Sequence, residues 1–160
     1  MIRFVQGNLF DSRAEALVNA VNTVGVMGRG VALEFKHRFP ENYRAYHIAC
    51  KREELIVGKM FTFDLGRETS LDQPRWIINF PTKQHWRNPS KLEFVRAGTE
   101  DFVRVIESHG ITSVALPALG CGTGGLEWKT VRGLLEVVLE PLDHVAFEVF
   151  EPRIEKVSVR

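Results

Sequence analysis

Four glycines fall within six residues, at Gly120, Gly122, Gly124 and Gly125, and this cluster constrains the chain more than any other feature. Before it stands a short apolar run over 113–116, ended by Pro117. After it comes a stretch, 127–139, whose apolar residues recur at helical spacing. A second glycine stretch, Asn22-Thr-Val-Gly25-Val-Met-Gly28-Arg29-Gly30, lies between the apolar run 16–21 and a helical pattern over 31–38. Glycine permits positive φ and lets a ligand approach the backbone with no Cβ in the way. A helix entered from such a loop offers free N–H groups and a favourable dipole to an anion. Two loops of this kind on different strands can grip a diphosphate from both sides, whereas simple turns do not need glycine at this density.

Neither standard phosphate-loop signature accounts for them. Gly120, Gly122 and Gly125 match G-x-G-x-x-G, but the dinucleotide fingerprint opens a βαβ unit, and here only one helix and one strand remain after it. A P-loop fails as well, because Lys129-Thr130 follows Trp128 where glycine is required.

Around the loops, strand and helix patterns alternate from end to end. Strands are predicted over 2–6, 16–21, 59–65, 75–80, 113–116 and 145–150, and helices over 31–38, 41–53, 91–108 and 127–139. Phe39-Pro40 stops the first helix, Pro81 closes the fourth strand, and 66–74 reads as a polar turn. In the long helix over 91–108 the core candidates are Phe94, Phe102, Val105 and Ile106, with Ser90 as N-cap. The fold class that follows is α/β, a mixed, largely parallel sheet of about six strands with helices on both faces. Ligands of such sheets sit beyond the carboxyl ends of the strands, where both glycine loops fall.

At 160 residues the chain makes one domain, assigned to 1–152, and the polar stretch 153–160 reads as a tail or a linker to a further region. Hydrophobic content of 44% and charged content of 26% are those of a globular chain, not a disordered one. A net charge of +1 excludes a global field for nucleic acid or membrane, so any DNA contact must come from a local patch. No apolar run is long enough to span a bilayer, and Met1 to Gln6 alternates like a strand with no signal-peptide layout. The only cysteines are Cys50 and Cys121, a scarcity that suits a reduced cytoplasm. His47 and Cys50 lie three apart without a second ligand pair, so no metal site is expected, nor any cofactor. The oligomeric state is left open.

The pair of loops resembles that of a macro domain, and the resemblance runs from Ile2 to Phe150. Leu17-Val18-Asn19-Ala20-Val21-Asn22 is similar to that family's strand ending in a paired-asparagine motif. Met27-Gly28-Arg29-Gly30-Val31-Ala32-Leu33-Glu34-Phe35-Lys36, the stretch 116–128 and Asn79-Phe80-Pro81-Thr82-Lys83 resemble one branch more narrowly. That branch holds terminal ADP-ribose glycohydrolases and DNA ADP-ribosyl glycohydrolase antitoxins of the DarG type, and the asparagine segments with Thr82-Lys83 favour the latter. The resemblance implies a three-layer α/β/α fold and ADP-ribose as ligand. It further implies removal of ADP-ribose from a DNA base, a thymine in single-stranded DNA, with an ADP-ribosyltransferase toxin as partner. The same pocket would also suit a protein de-ADP-ribosylase, an O-acetyl-ADP-ribose deacylase, or a reader that binds ADP-ribose without cutting.

Carried over by residue, the resemblance puts Asn8, beside Leu9, near the adenine, where many macro domains carry aspartate, and Asn22 at the distal ribose. Gly28, Arg29, Gly30 and Val31 would supply the first ligand loop. Gly120, Cys121, Gly122, Thr123, Gly124 and Gly125 would wrap the diphosphate and distal ribose, with Pro117, Leu119 and Leu126 also ligand-binding and Lys83 catalytic. The protein-directed glycohydrolases carry an aspartate at the position matching Gly124, which this chain lacks.

The chemistry of Lys83 supports its place there, although a lysine after a strand is as readily a solvated surface group. With its pKa lowered by partial burial, the neutral amine can attack an anomeric carbon. Stabilising the transition state electrostatically is the alternative. Cys121, with no neighbouring histidine, reads as a small packing residue, and His85 as a candidate acid or base or a solvent-facing loop residue. After Lys83 comes Gln84-His85-Trp86-Arg87-Asn88-Pro89-Ser90-Lys91. A base can stack on Trp86 while Arg87 and Lys91 meet phosphates, with His85 nearby. Trp86 can equally serve to cover the core.

Overall fold

The computed structural model describes residues 1–66 and 73–153. Most of the polar turn over 66–74, and all of the tail after residue 153, lie outside them. The described chain forms six strands, β1 (Ile2–Val5), β2 (Ala16–Asn22), β3 (Phe61–Asp64), β4 (Trp76–Lys83), β5 (Ser113–Pro117) and β6 (Ala146–Phe150). Four helices join them, α1 (Gly30–Arg38), α2 (Pro40–Lys51), α3 (Leu92–Ser108) and α4 (Trp128–Leu139). The sheet order is β1-β6-β5-β2-β4-β3, with every pairing parallel except β3 with β4. The mixed, largely parallel six-stranded sheet expected from the sequence is therefore the one observed.

Alternation along β2 divides the core in two. Ala16 and Val18 face the side covered by α3 and α4, with Phe102, Ile106, Val131 and Leu135. Leu17 and Val21 face the side of α1 and α2, with Phe35, Tyr46 and Ala49. Helices on both faces make three layers. Among the described residues, no helix is long and apolar enough to cross a membrane.

Two local expectations are corrected. Strand β4 does not close at Pro81 but runs on to Lys83. Proline lacks a ladder donor, yet β3 pairs only with Trp76 to Asn79, so at Pro81 the strand has no partner on that flank. In α3, Val95 is buried and Phe94 only half-buried, with the Lys91 ammonium 5.4 Å from its ring. At about 100° per residue, Val95 lies roughly 20° from Phe102 around the helix and Phe94 roughly 80°.

Gly98 shows how tightly α3 is seated. A Cβ there would run into Cε1 and Cζ of Phe80, a ring with no exposure. Alanine in place of a helical glycine ordinarily gains about 1 kcal/mol, but overpacking a closed core costs about 1–3 kcal/mol, and the rigid ring makes the clash win. Gly98→Ala should lower the stability measured by urea unfolding; a stabilised variant would show that α3 can lift off the sheet.

Candidate functional site

Because β2, β4 and β5 are adjacent and parallel, their carboxyl ends open on the same edge. From β2 the chain moves to one side, through α1, α2 and β3 to β4, and then crosses over α3 to β5 on the other side. The crevice at such a reversal is where open α/β sheets bind ligands. Here it is a cleft of about 730 Å³, within the range of small-molecule sites.

The first wall is the loop after β2, shaped by Asn22. Its Oδ1 accepts from the amides of Val24, Gly25 and Val26 at 3.2, 3.2 and 3.3 Å, and its Nδ2 donates to the Val26 carbonyl at 2.8 Å. Asn22 lines the cleft with Val26, Gly28, Arg29, Gly30, Val31 and Ala32. The last three open α1, whose first-turn amides have no acceptor inside the helix. No side chain caps that end.

The second wall is the loop after β5. It folds on itself through Cys121 N to Ala118 O, Gly125 N to Gly122 O and Leu126 N to Gly120 O, at 3.1, 3.2 and 2.9 Å. That pattern leaves the amides of Gly122, Thr123 and Gly124 without a protein acceptor among the described residues, and all three residues line the cleft with Pro117, Ala118 and Gly120. Consecutive free amides form an anion-binding concavity. The helix that follows contributes less than its sequence position suggested, since Trp128, where α4 begins, is not in the lining.

The floor and third wall come from the end of β4. Register slips by one residue there, pairing Val21 with Pro81 but Asn22 with Lys83. Thr82 is the unpaired extra residue, and such a bulge re-aims the side chain after it. Lys83 lies in the cleft, where its Nζ donates to Thr123 Oγ1 at 3.3 Å and to the Trp86 carbonyl at 3.4 Å. Its pKa is lowered, first by desolvation and then by the charge of Arg29. Trp86 and Arg87 complete the rim, the guanidinium 4.6 Å above the indole and the His85 ring 5.2 Å from it.

The family whose sequence profile matches is the macro domain, over residues 18–135. The chain belongs to the macro domain family. A solved macrodomain of Mycobacterium tuberculosis DarG is similar to it with a TM-score of 0.91 and 50% identity, covering 96% of this chain and 99% of that one. The structure of Thermosipho africanus DarTG in complex with ADP-ribose is similar at a TM-score of 0.87 and 40% identity, over 98% of this chain and 43% of that one. A DNA ADP-ribosyl glycohydrolase of Thermus aquaticus is 52% identical over 152 residues, 95% of this chain and 41% of that protein. The chain thus spans about two fifths of the length of the curated relatives it matches.

In this macro domain several residues named from sequence stand outside the cleft lining. Asn8 is exposed and caps a short 3-10 turn, its Oδ1 accepting from Phe10 N at 2.9 Å, and Leu9 is buried beneath that turn. Leu119 is in the core, and Leu126 packs against it. Cys121 is half-buried, with desolvation pushing its thiol up to about 11, so it stays protonated at neutral pH. Gly125, His85 and Lys91 likewise lie beyond the lining. Ser90 does not cap α3, whose N-cap is Lys91 without a side-chain bond. Instead Ser90 is buried under the second loop, its amide bonded to Gly124 O at 3.0 Å. The lining also includes Val26, Ala32, Thr82 and Ala118, which lie in the quoted segments but are not among the residues expected to bind the ligand.

The Arg29–Lys83 coupling gives a test. Removing the Arg29 charge takes away one of the two influences that hold Lys83 down, so Arg29→Met should move the Lys83 titration to higher pH, towards an ordinary lysine. Observing the Lys83 Nζ signal by NMR across a pH series in the unliganded domain would check this. An unmoved titration would mean that the arginine does not act on the amine.

Proposed function

We propose that this macro domain hydrolyses the bond between ADP-ribose and a DNA base, a thymine in a single strand. We further propose that it serves, within a longer cytoplasmic protein, as antitoxin to a DNA-modifying ADP-ribosyltransferase. The observation that carries the reading is a partly desolvated lysine between two rows of free amides. The amides and the cations of Arg29 and Arg87 suit a diphosphate. Lys83, set between the loops, would act at the anomeric carbon of the distal ribose. As a neutral amine it attacks that carbon; the bond to the base breaks and its electron pair leaves with the base, which takes up a proton. The ring oxygen of the ribose then leaves C1 with its electron pair and takes the proton from the lysine nitrogen, giving a Schiff base; water adds at the same carbon and displaces the lysine, releasing ADP-ribose. A purely binding domain needs no amine at the distal ribose.

A specific contact disfavours the protein-directed chemistry. A side chain at position 124 would meet Ser90 Oγ, Ser90 Cβ and the Gly120 carbonyl, so this loop has no room for an aspartate there. The similarity to DarG macrodomains and to a DNA ADP-ribosyl glycohydrolase points to DNA instead. Trp86, 46% exposed on the rim, offers a face to a nucleobase. The base must leave a duplex stack to reach the floor.

Incubation with ADP-ribosylated single-stranded DNA, beside ADP-ribosylated protein, tests the proposal directly. Wild-type domain should release ADP-ribose from the DNA, and Lys83→Ala should lose release while still binding ADP-ribose. Full turnover by Lys83→Ala would remove the lysine from the chemistry. Borohydride trapping of a lysine adduct separates covalent from electrostatic help.

Trp86→Ala should weaken cleavage of modified DNA more than binding of free ADP-ribose. Stacking contributes about 1–3 kcal/mol, and because His85 and Arg87 already pack on the ring, the lower end applies. Arg87→Ala should also flatten the salt dependence by about one counterion. Equal losses for DNA and free ligand, measured across a salt series, would show that the segment only supports the pocket.

A further inference from the structure

Asn22 is itself held from behind. Tyr46, on α2 and wholly buried, lies with its hydroxyl 2.8 Å from the Asn22 carbonyl and 3.0 Å from Asn22 Oδ1. Tyr46 does not line the cleft. The next residue, His47, has Nδ1 3.0 Å from the Gly25 carbonyl. Gly25 has φ +90°, and the space of its missing Cβ is taken by His47 and Cys50. One face of α2 thus grips the loop whose opposite face forms the cleft.

We propose that Tyr46 is a positioning residue for ligand binding, holding Asn22 and through it the whole first loop in the shape that receives ADP-ribose. The inference rests on the reading of the cleft given above. Asn22 Oδ1 already serves three amides and Nδ2 already serves Val26 O, so the side chain has one amide hydrogen left for a ligand. Where that hydrogen points depends on the orientation of the amide plane, and the Tyr46 hydroxyl sits at the oxygen end of that plane. Burial keeps the phenol protonated, with its pKa raised above the ordinary tyrosine value; the hydroxyl is therefore a constant donor. Without it the Asn22 carbonyl, at the last residue of β2, loses a buried partner. Such a group regains one by rotating its peptide, and that rotation would carry Val24 to Val26 with it.

Tyr46→Phe removes the hydroxyl and keeps the ring packing, so the variant should fold. Calorimetry with free ADP-ribose, well below the melting temperature, should show affinity weakened about tenfold, the order of one ordinary hydrogen bond lost. On ADP-ribosylated oligonucleotide, KM should rise by a similar factor, as for a loss of uniform binding. Amide NMR signals of Val24, Gly25 and Val26 should shift in the unliganded variant. A hydroxyl with a merely structural role would lower Tm and leave the affinity of the folded domain unchanged, and that result overturns the proposal. So does a fall in kcat at constant KM. A wild-type domain that does not bind ADP-ribose would instead overturn the reading of the cleft itself, and the two failures are distinguished by the wild-type titration.

Discussion

The parallel ladder of β2 with β4 on one side and β5 on the other is the interaction on which the rest of the site depends. It brings three strand ends to one edge, so that Asn22, Lys83 and Pro117 open into a common cleft. Backbone amides must find acceptors when buried, and sheet amides do. Just past the ladder, the amides of Gly122, Thr123 and Gly124 and those of the first turn of α1 have none among the described residues. The cleft is therefore electropositive through its backbone before any side chain is counted. Arg29, Lys83 and Arg87 add to this in a chain whose net charge is only +1. Positive groups and free amides thus gather in this cleft.

The three walls do not stand independently. Gln84 O accepts from both the amide and the hydroxyl of Thr23, at 3.0 and 3.1 Å, tying the segment after β4 to the first loop. Ser90 N bonds Gly124 O, tying the same segment to the second, and Lys83 Nζ reaches Thr123 from the end of β4. The stretch 84–91 is thus a clasp across both ligand loops, and it carries Trp86 and Arg87 outward. A strand of nucleic acid lying on that rim and an ADP-ribose group in the cleft would touch one connected structure. Long-range coupling is not required for one to influence the other.

Much of this was legible in the residues. Glycine clustered between strand and helix patterns favours a loop for close backbone approach over a simple turn, and Lys83 follows an apolar run that reads as a strand. What could not be read depends on contacts between distant positions. Ser90 looks like a helix cap in sequence; only the fold places it beneath Gly124, where it closes the space a side chain would need. Pro81 looks like a strand terminator, and it is tolerated because β3 has already stopped pairing. Tyr46 belongs to an ordinary amphipathic helix, with nothing local to mark its bond to Asn22. The bulge at Thr82, which aims Lys83, is a matter of register between two strands about sixty residues apart.

The claim that a diphosphate sits between the two loops is tested most directly at Gly122. A Cβ added there meets nothing within 4 Å, and no positive φ is required, so Gly122→Glu should fold as the wild type does while placing a carboxylate in the anion cradle. Calorimetric titration of ADP-ribose into both proteins is the measurement. Binding by the wild type and none by the variant, at equal thermal stability, is the predicted result. Undiminished affinity in Gly122→Glu would contradict it and move the ligand away from these loops.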